Sequence, residues 1–164
     1  MVGPPTKHGY ARIERERRFL LERLPENVDP EAYERLDDLF VHGTHLRLRE
    51  VSRPDGEWTM TTLGQKIADP DAADDPRCRQ MTTIYLPQEE AAALAALDGL
   101  RTTKRRYKLP EQGFTFCIDV WESPPAARGT ILAEVEADLR RSSSCSPRRA
   151  RATSPARTTS STAA

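Results

Sequence analysis

Short segments in which charged and apolar side chains alternate are the feature that most constrains the fold of this chain. In "THLRLRE", Arg47 and Arg49 share one face of an extended backbone and leucines share the other. "ILAEVEADL" repeats this pattern with Glu134 and Glu136. A period of two is the periodicity of a β-strand, so these segments predict strands that present charge on one face.

Frequent turn signals separate these segments and favour an antiparallel arrangement. "VHGTH", "SRPDGEW", "IADPDAADDPR", "LPEQGF" and "ESPPAARG" are rich in Gly, Pro and Asp. "QEEAAALAALDGL" is the exception, because its Ala, Leu and Glu content predicts a helix over residues 88–100. A shorter helix is expected to start at Asp29. The fold class is therefore α+β, mostly antiparallel β.

The first charged segment, "RIERERRFLLERLP", is ambiguous by itself. Ile13, Leu20 and Leu24 suit the apolar stripe of an amphipathic helix, which Arg17 interrupts. With a period of two, Glu14 and Glu16 fall on one face of a strand instead. Because later segments repeat this second pattern, we interpret the stretch as the first strand.

The charges admit two structural arrangements. One is a sheet with a dry face and a solvated face, and the other is a barrel with a polar interior. Segregation of charge by sign between strands favours the barrel. The acidic pairs are Glu14/Glu16 and Glu134/Glu136, and the basic pairs are Arg47/Arg49 and Lys104/Arg106.

Such pairs indicate a particular ligand chemistry. Paired carboxylates suit hard divalent cations such as Mg²⁺ or Mn²⁺, which commonly share their coordination with substrate phosphates. Paired Arg and Lys side chains suit the phosphates themselves. No G-x-x-x-x-G-K-[ST] or G-x-G-x-x-G motif is present in the sequence, so phosphate binding by such a glycine-rich loop is not indicated.

Composition divides the 164-residue chain into a globular part and two termini. Residues 139–164 hold six arginines and no acid, with one Leu, so we expect a disordered tail. Without aromatic residues among its arginines, this tail is a poor candidate for a nucleic-acid arm. Residues 1–10 are expected to be a flexible N-terminus.

No apolar run is long enough for a membrane span or a secretory signal, so we expect a cytoplasmic protein with unpaired cysteines.

Together these residues resemble the CYTH domain, or triphosphate tunnel metalloenzyme, superfamily, whose first strand carries E-x-E-x-K. "IERERRFL" matches it with Glu14, Glu16 and, at the lysine position, Arg18. The later segments "LDDLFVHGTHLRLRE", "TTLGQKI", "TTIYLPQEEAAALAAL", "TTKRRYKL", "FCIDVWE" and "ILAEVEADL" resemble family segments in the same order. The likeness extends from about residue 11 to residue 138, which we take as the tunnel domain.

The resemblance implies an eight-stranded antiparallel tunnel barrel that binds a triphosphate with a divalent metal ion, Mg²⁺ or Mn²⁺. It implies these metal ligands: Glu14, Glu16, Glu134, Glu136 and, as a ligand or substrate-side partner, Asp119. It implies these phosphate-binding residues: Arg18, Arg47, Arg49, Lys66, Lys104 and Arg106. Glu14, Glu16, Arg18, Glu134 and Glu136 would form the catalytic set. An arginine at position 18 keeps the charge of lysine but loses any role that requires deprotonation.

The resemblance also implies a departure at the C-terminus. Members of the superfamily continue into a helix and a last strand with a further glutamate, whereas this chain continues into its Arg/Ser/Thr/Ala tail. We interpret this as a truncation or a frameshift near residue 138. A barrel without its last strand would have an open edge.

The functional hypothesis is metal-dependent hydrolysis of triphosphate compounds, with inorganic, nucleoside or thiamine triphosphate as ligand. The alternatives are a non-catalytic polyphosphate- or nucleotide-binding module or inactive remnant, and a class IV-type adenylyl cyclase.

Overall fold

The computed structural model describes residues 9–72 and 74–136, which fold into eight strands, one α-helix and two short 3-10 turns. The strands are β1 (Arg12–Leu21), β2 (Glu34–Val41), β3 (Leu46–Ser52), β4 (Trp58–Ala68), β5 (Cys78–Leu86), β6 (Gly99–Glu111), β7 (Phe114–Ser123) and β8 (Ile131–Glu136). The helix α1 (Gln88–Ala95) connects β5 to β6.

The eight strands close into an antiparallel barrel in the order β1-β5-β4-β3-β2-β6-β7-β8. β1 completes the ring, because Arg12–Arg15 pair with β5 and Glu16–Leu21 pair with β8. The eight-stranded barrel is thus confirmed. The expectation that the sheet has an open edge is wrong at the level of strand order, because the described strands form a closed ring without any further strand.

The ambiguous first segment is a strand. Its residues exchange ladder pairings with two neighbours that lie more than 50 residues away in the chain, such as Arg15 with Cys78 and Phe19 with Ala133. Sheet pairing of this kind outweighs a local helical stripe, whose stability in water is marginal at such a length. The helical alternative is therefore wrong.

The apolar side chains of the barrel wall lie mainly on its outside, in two clusters. Under α1, Leu39, Leu48 and Leu86 pack against Ala91 of the helix. The second cluster is covered by the connection between β1 and β2, and its members are Tyr107, Ile118 and Ala133 with Leu21, Leu24, Val28 and Tyr33 around them. These two covers bury the outer faces of the strands, which leaves the inner faces free to carry charge.

Both helix predictions require correction. The helix expected over residues 88–100 ends at Ala95, because the β2–β6 ladder takes the following residues: Gly99 pairs with Val41, and the His42 amide donates to the Asp98 carbonyl at 3.1 Å. The short helix expected at Asp29 is a single turn, closed by the Ala32 amide on the Asp29 carbonyl at 3.2 Å. Strand β2 begins at Glu34, which leaves no room for a second turn.

Several other expectations concern the ends of the chain and the thiols. The tail over residues 139–164 and most of the N-terminal segment 1–10 lie outside the described residues, as do Asp138 and Cys145. Cys78 and Cys117 are free thiols, as expected. In the part of the chain that the structure describes, no helix is long and apolar enough to cross a membrane.

Candidate functional site

The interior of the barrel is a charged cavity of about 860 Å³. Its lining includes Phe40, which pairs with Leu100 near the start of β6, and Phe114, which pairs with Glu111 at the end of β6. Ten of the eleven residues that the sequence nominated line it: Glu14, Glu16, Arg18, Arg47, Arg49, Lys66, Lys104, Arg106, Glu134 and Glu136. The eleventh, Asp119, is fully buried behind the lining, where it contacts two of the cations.

The acidic residues share one wall of the cavity, formed by the adjacent strands β1 and β8. Glu16 lies directly opposite Glu136 in the ladder, and Arg18 lies opposite Glu134. The Arg18 guanidinium bonds Glu16 and Glu134, both at 2.9 Å. The period-two pattern of each segment thus becomes one acidic surface, with Arg18 inside it.

Lys66 of β4 reaches this acidic wall across β5. Its ammonium lies 2.8 Å from a Glu16 oxygen and 3.3 Å from a Glu14 oxygen. Burial favours a raised pKa for Glu16, but Lys66 and Arg18 outweigh it and hold that pKa below its usual value. Glu16 is therefore ionised at neutral pH.

The basic wall is organised around Asp119. This carboxylate accepts two hydrogen bonds from Arg106, at 2.6 and 2.7 Å, and one from Lys104. Burial opposes ionisation of Asp119, yet the two cations, Arg106 first, hold its pKa below the usual range. For Lys104, burial and then the neighbouring Arg106 lower the pKa, and Asp119 opposes them. Asp119 positions these two cations and accepts three hydrogen bonds from them.

Asp38 of β2 plays the corresponding part for the arginines of β3. Its buried carboxylate accepts two bonds from Arg49, at 2.6 and 2.7 Å. The Nε of Arg47 lies 3.9 Å away, too far for a hydrogen bond, and is buried without a partner. Burial, followed by repulsion from Arg49, lowers the pKa of Arg47 to about 10. Arg47 thus faces the cavity as a cation whose neighbouring carboxylate, Asp38, is already hydrogen-bonded to Arg49.

The acidic wall suits a hard cation only in part. Among the described residues, no group of three or more His, Cys, Asp or Glu side chains is arranged to hold a metal ion. The Lys66 ammonium, however, contacts both Glu14 and Glu16, so a positive charge is already accommodated between these carboxylates. A divalent ion bound there would take two protein ligands and complete its shell with water and phosphate oxygens, as Mg²⁺ often does.

Sequence reasoning missed several residues of the cavity. Asp38 orients Arg49 and was not nominated. Its position between Leu36 and Phe40 on one face of the strand could have indicated a carboxylate that needs a charged partner. Arg12 contacts Glu14 at 2.9 Å and Glu136 at 3.2 Å. The other missed group is the indole of Trp121, whose ring centre lies 5.0 Å from the Lys104 ammonium. No spacing in the sequence indicates that contact, because it depends on the alignment of β6 with β7.

The fold and the interior define a class of protein: closed antiparallel β-barrels with a charged tunnel. No protein-family model matches the chain, and no curated protein matches it. The crystal structures similar to it include two of NE1496. One is of the hypothetical protein NE1496, with 23% identity, a TM-score of 0.43 and 75% coverage of each chain. The other is of the inorganic triphosphatase NE1496, with 22% identity, a TM-score of 0.42, and coverage of 75% of this chain and 72% of that one.

Proposed function

We propose that this protein hydrolyses triphosphate compounds inside the barrel with the help of a divalent metal ion, and that inorganic tripolyphosphate is its simplest substrate. The observation that carries the proposal is Arg47, a tunnel cation with a buried Nε that has no partner and with a lowered pKa. A buried guanidinium nitrogen without a hydrogen-bond partner is costly, and a bound anion that accepts from it removes that cost.

Phosphate binding is assigned to the cations that line the cavity. Strands β3 and β6, which flank β2 in the sheet, supply Arg47, Arg49, Lys104 and Arg106. Arg18 and Lys66 approach from the acidic wall. Guanidinium groups bind phosphate oxygens through paired donors, and such charges stabilise a phosphoryl group during transfer. The cavity therefore offers cations on both sides of a linear polyphosphate.

The metal would be held by Glu14 and Glu16, with Glu134 and Glu136 on the neighbouring strand as further carboxylates. Mg²⁺ or Mn²⁺ would polarise a phosphoryl oxygen and lower the pKa of a coordinated water. Glu16 is ready for that role, since its pKa is held below its usual value. Lys66 would leave its position between Glu14 and Glu16 and bind phosphate when the ion enters.

The test is a phosphate-release assay on tripolyphosphate with Mg²⁺ or Mn²⁺, with a chelator control. The wild type is compared with Glu16→Gln and with Glu57→Gln, a control at an exposed turn. We expect metal-dependent release that Glu16→Gln abolishes and Glu57→Gln preserves. No metal-dependent release from folded wild-type protein would refute hydrolysis.

A second function, binding of polyphosphate without turnover, is favoured by a specific observation. Glu14, Glu16 and Glu134 each contact a cation, and the described residues contain no three-ligand metal group. Isothermal titration calorimetry with tripolyphosphate distinguishes the two functions. Saturable binding that Arg47→Met weakens, together with absent phosphate release, would assign the tunnel to binding alone.

A further inference from the structure

Among the described residues, half of strand β1 lacks a neighbouring strand on one side. Its pairing with β5 covers only Arg12–Arg15 and ends with the Glu16 amide, which donates to the Arg77 carbonyl at 3.1 Å. Pro76 comes next on the opposite chain and has no amide hydrogen to continue the ladder. The chain then turns away from β1, and this turn is closed by a hydrogen bond of 3.0 Å from the Cys78 amide to the Asp75 carbonyl. Within the described residues, the edge of β1 from Arg17 to Leu21 has no partner on the β5 side.

The solvent exposure of β1 residues rises where the pairing with β5 ends. Ile13–Glu16 are all half-buried, whereas the next four residues are all exposed, including Phe19 at 45% and Leu20 at 76%. Because the backbone groups of a strand alternate between its two sides, Arg18 and Leu20 direct their amide and carbonyl groups to the same side as Glu16. These groups form an unpaired edge of the kind to which a further strand adds.

The groove beside this edge is strongly basic. It has a volume of about 670 Å³ and is lined by Glu16, Arg17, Arg18, Lys66, Arg77 and Arg79, among others. Arg18 and Lys66 are paired with carboxylates of the tunnel, and Arg77 is paired with Asp75. Among the described residues, Arg17 has no hydrogen bond or ion pair, and Arg79 donates only to backbone carbonyls. Two positive charges at the groove thus lack a carboxylate partner.

We propose that this edge, Arg17–Leu21, binds an extended acidic polypeptide segment as an added strand. Main-chain hydrogen bonds to Arg18 and Leu20 would hold the segment, and the carboxylates on one of its faces would pair with Arg17. A second copy of this chain fits less well, because β1 against β1 would bring Arg17 and Arg18 of both copies together. The chain's own residues 139–164 hold six arginines and no acid, so they would be repelled.

The test uses the full chain and a fluorescent pentapeptide, acetyl-Glu-Val-Glu-Val-Glu-amide, followed by anisotropy. We expect saturable binding that weakens with salt, and that Arg17→Glu reduces about tenfold or more. The matched control is Arg53→Glu, which makes the same charge change at an exposed turn and should bind like the wild type. Amide hydrogen exchange at Arg18 and Leu20 should slow when the peptide binds.

Two peptide controls and one further variant distinguish strand addition at this edge from binding elsewhere on the protein. A backbone N-methylated peptide of the same charge should bind poorly, and so should the lysine analogue. Arg47→Met, which removes a tunnel cation, should leave peptide binding unchanged. Equal binding of the N-methylated peptide, an equal loss in Arg53→Glu, or a loss in Arg47→Met would overturn the proposal. Dimerisation that Arg17→Glu alters, detected by sedimentation, would assign the edge to a second copy and also overturn it.

Discussion

Lys66 and Glu16 lie 50 residues apart in the chain, yet the Lys66 ammonium and a Glu16 carboxylate oxygen are 2.8 Å apart inside the barrel. The same ammonium reaches Glu14 at 3.3 Å. Strand β5 separates their strands in the sheet, so the contact spans the curved interior of the barrel. Lys66 thus occupies the position between the two carboxylates on which metal binding depends in the proposed function and offsets part of their charge.

Lys66→Gln is therefore expected to affect metal binding and phosphate binding in opposite directions. Mn²⁺ binding to the free protein should tighten by roughly tenfold, because a competing positive charge in direct contact is removed. Affinity for tripolyphosphate should fall, since one phosphate-binding cation is lost. Titrations of Mn²⁺ and of tripolyphosphate measure the two effects separately. Lys108→Gln, at an exposed pair with Glu34, is the control, and unchanged Mn²⁺ affinity in Lys66→Gln would contradict this prediction.

Arg47→Met should leave the free energy of unfolding unchanged or raise it by up to about 1 kcal/mol. The replaced guanidinium has an unpartnered Nε and is repelled by Arg49, so an apolar side chain of similar length costs little. The stabilisation that tripolyphosphate confers on the wild type should shrink in this variant. Thermal melting with and without tripolyphosphate measures both. A variant that melts lower but retains the full ligand effect would show that Arg47 is structural.

Asp38→Asn should destabilise the barrel at neutral pH by about 3–5 kcal/mol, because it leaves Arg49, whose side chain is only 12% exposed, without its bidentate acceptor. Asp37→Asn is the matched control. It changes the preceding residue, whose side chain is 42% exposed, and should cost at most about 1 kcal/mol. Urea unfolding at pH 7 compares the two, and similar losses in both variants would argue against a special role for Asp38.

The cost of Asp38→Asn should also depend on pH. Burial works to raise the pKa of Asp38, but Arg49 and then Arg47 outweigh it, so the folded-state pKa lies below the ordinary value of 3.8. At pH values above 3.8, the ionised carboxylate therefore makes its full contribution to the free energy of unfolding. This contribution is lost as the pH falls through the folded-state pKa. Urea unfolding from pH 7 down into this acidic range should show the wild type and the variant converging. A constant difference would exclude the ion pair as its source.

Gly99→Ala should destabilise the protein by about 3 kcal/mol through overpacking. A Cβ at position 99 would lie 2.2 Å from the Phe40 carbonyl oxygen and 2.7 Å from a methyl carbon of Leu39. The backbone there cannot move without breaking the first β2–β6 pairing, Val41 with Gly99. Gly9→Ala, with nothing within 4 Å of its Cβ, is the control. Chemical denaturation of both variants makes the comparison, and equal stability would mean that the ladder adapts at Gly99.

The sequence alone determined which side chains share a face. Alternation along an extended backbone is local geometry, so Glu14 with Glu16, Arg47 with Arg49 and Glu134 with Glu136 followed from a period of two once strands were inferred. Segregation of charge by sign between strands, together with the resemblance to a tunnel family, added the direction of those faces, towards the inside of a barrel. The helix that covers the first outer cluster was also predicted. Its C-terminal end was not, because the pairing of Gly99 with Val41 competes for the same residues.

Only the tertiary structure decided which faces meet. Ring closure places Glu16 opposite Glu136 and brings the Lys66 ammonium to Glu14 and Glu16. It also places the Asp38 carboxylate against the Arg49 guanidinium. These contacts depend on strand order and register, which are set by the packing of the whole barrel and leave no trace in local periodicity. The same holds for the unpaired edge at Arg17–Leu21. It exists because Pro76 and the turn before Cys78 end the β5 ladder, while β8 pairs the other side of β1.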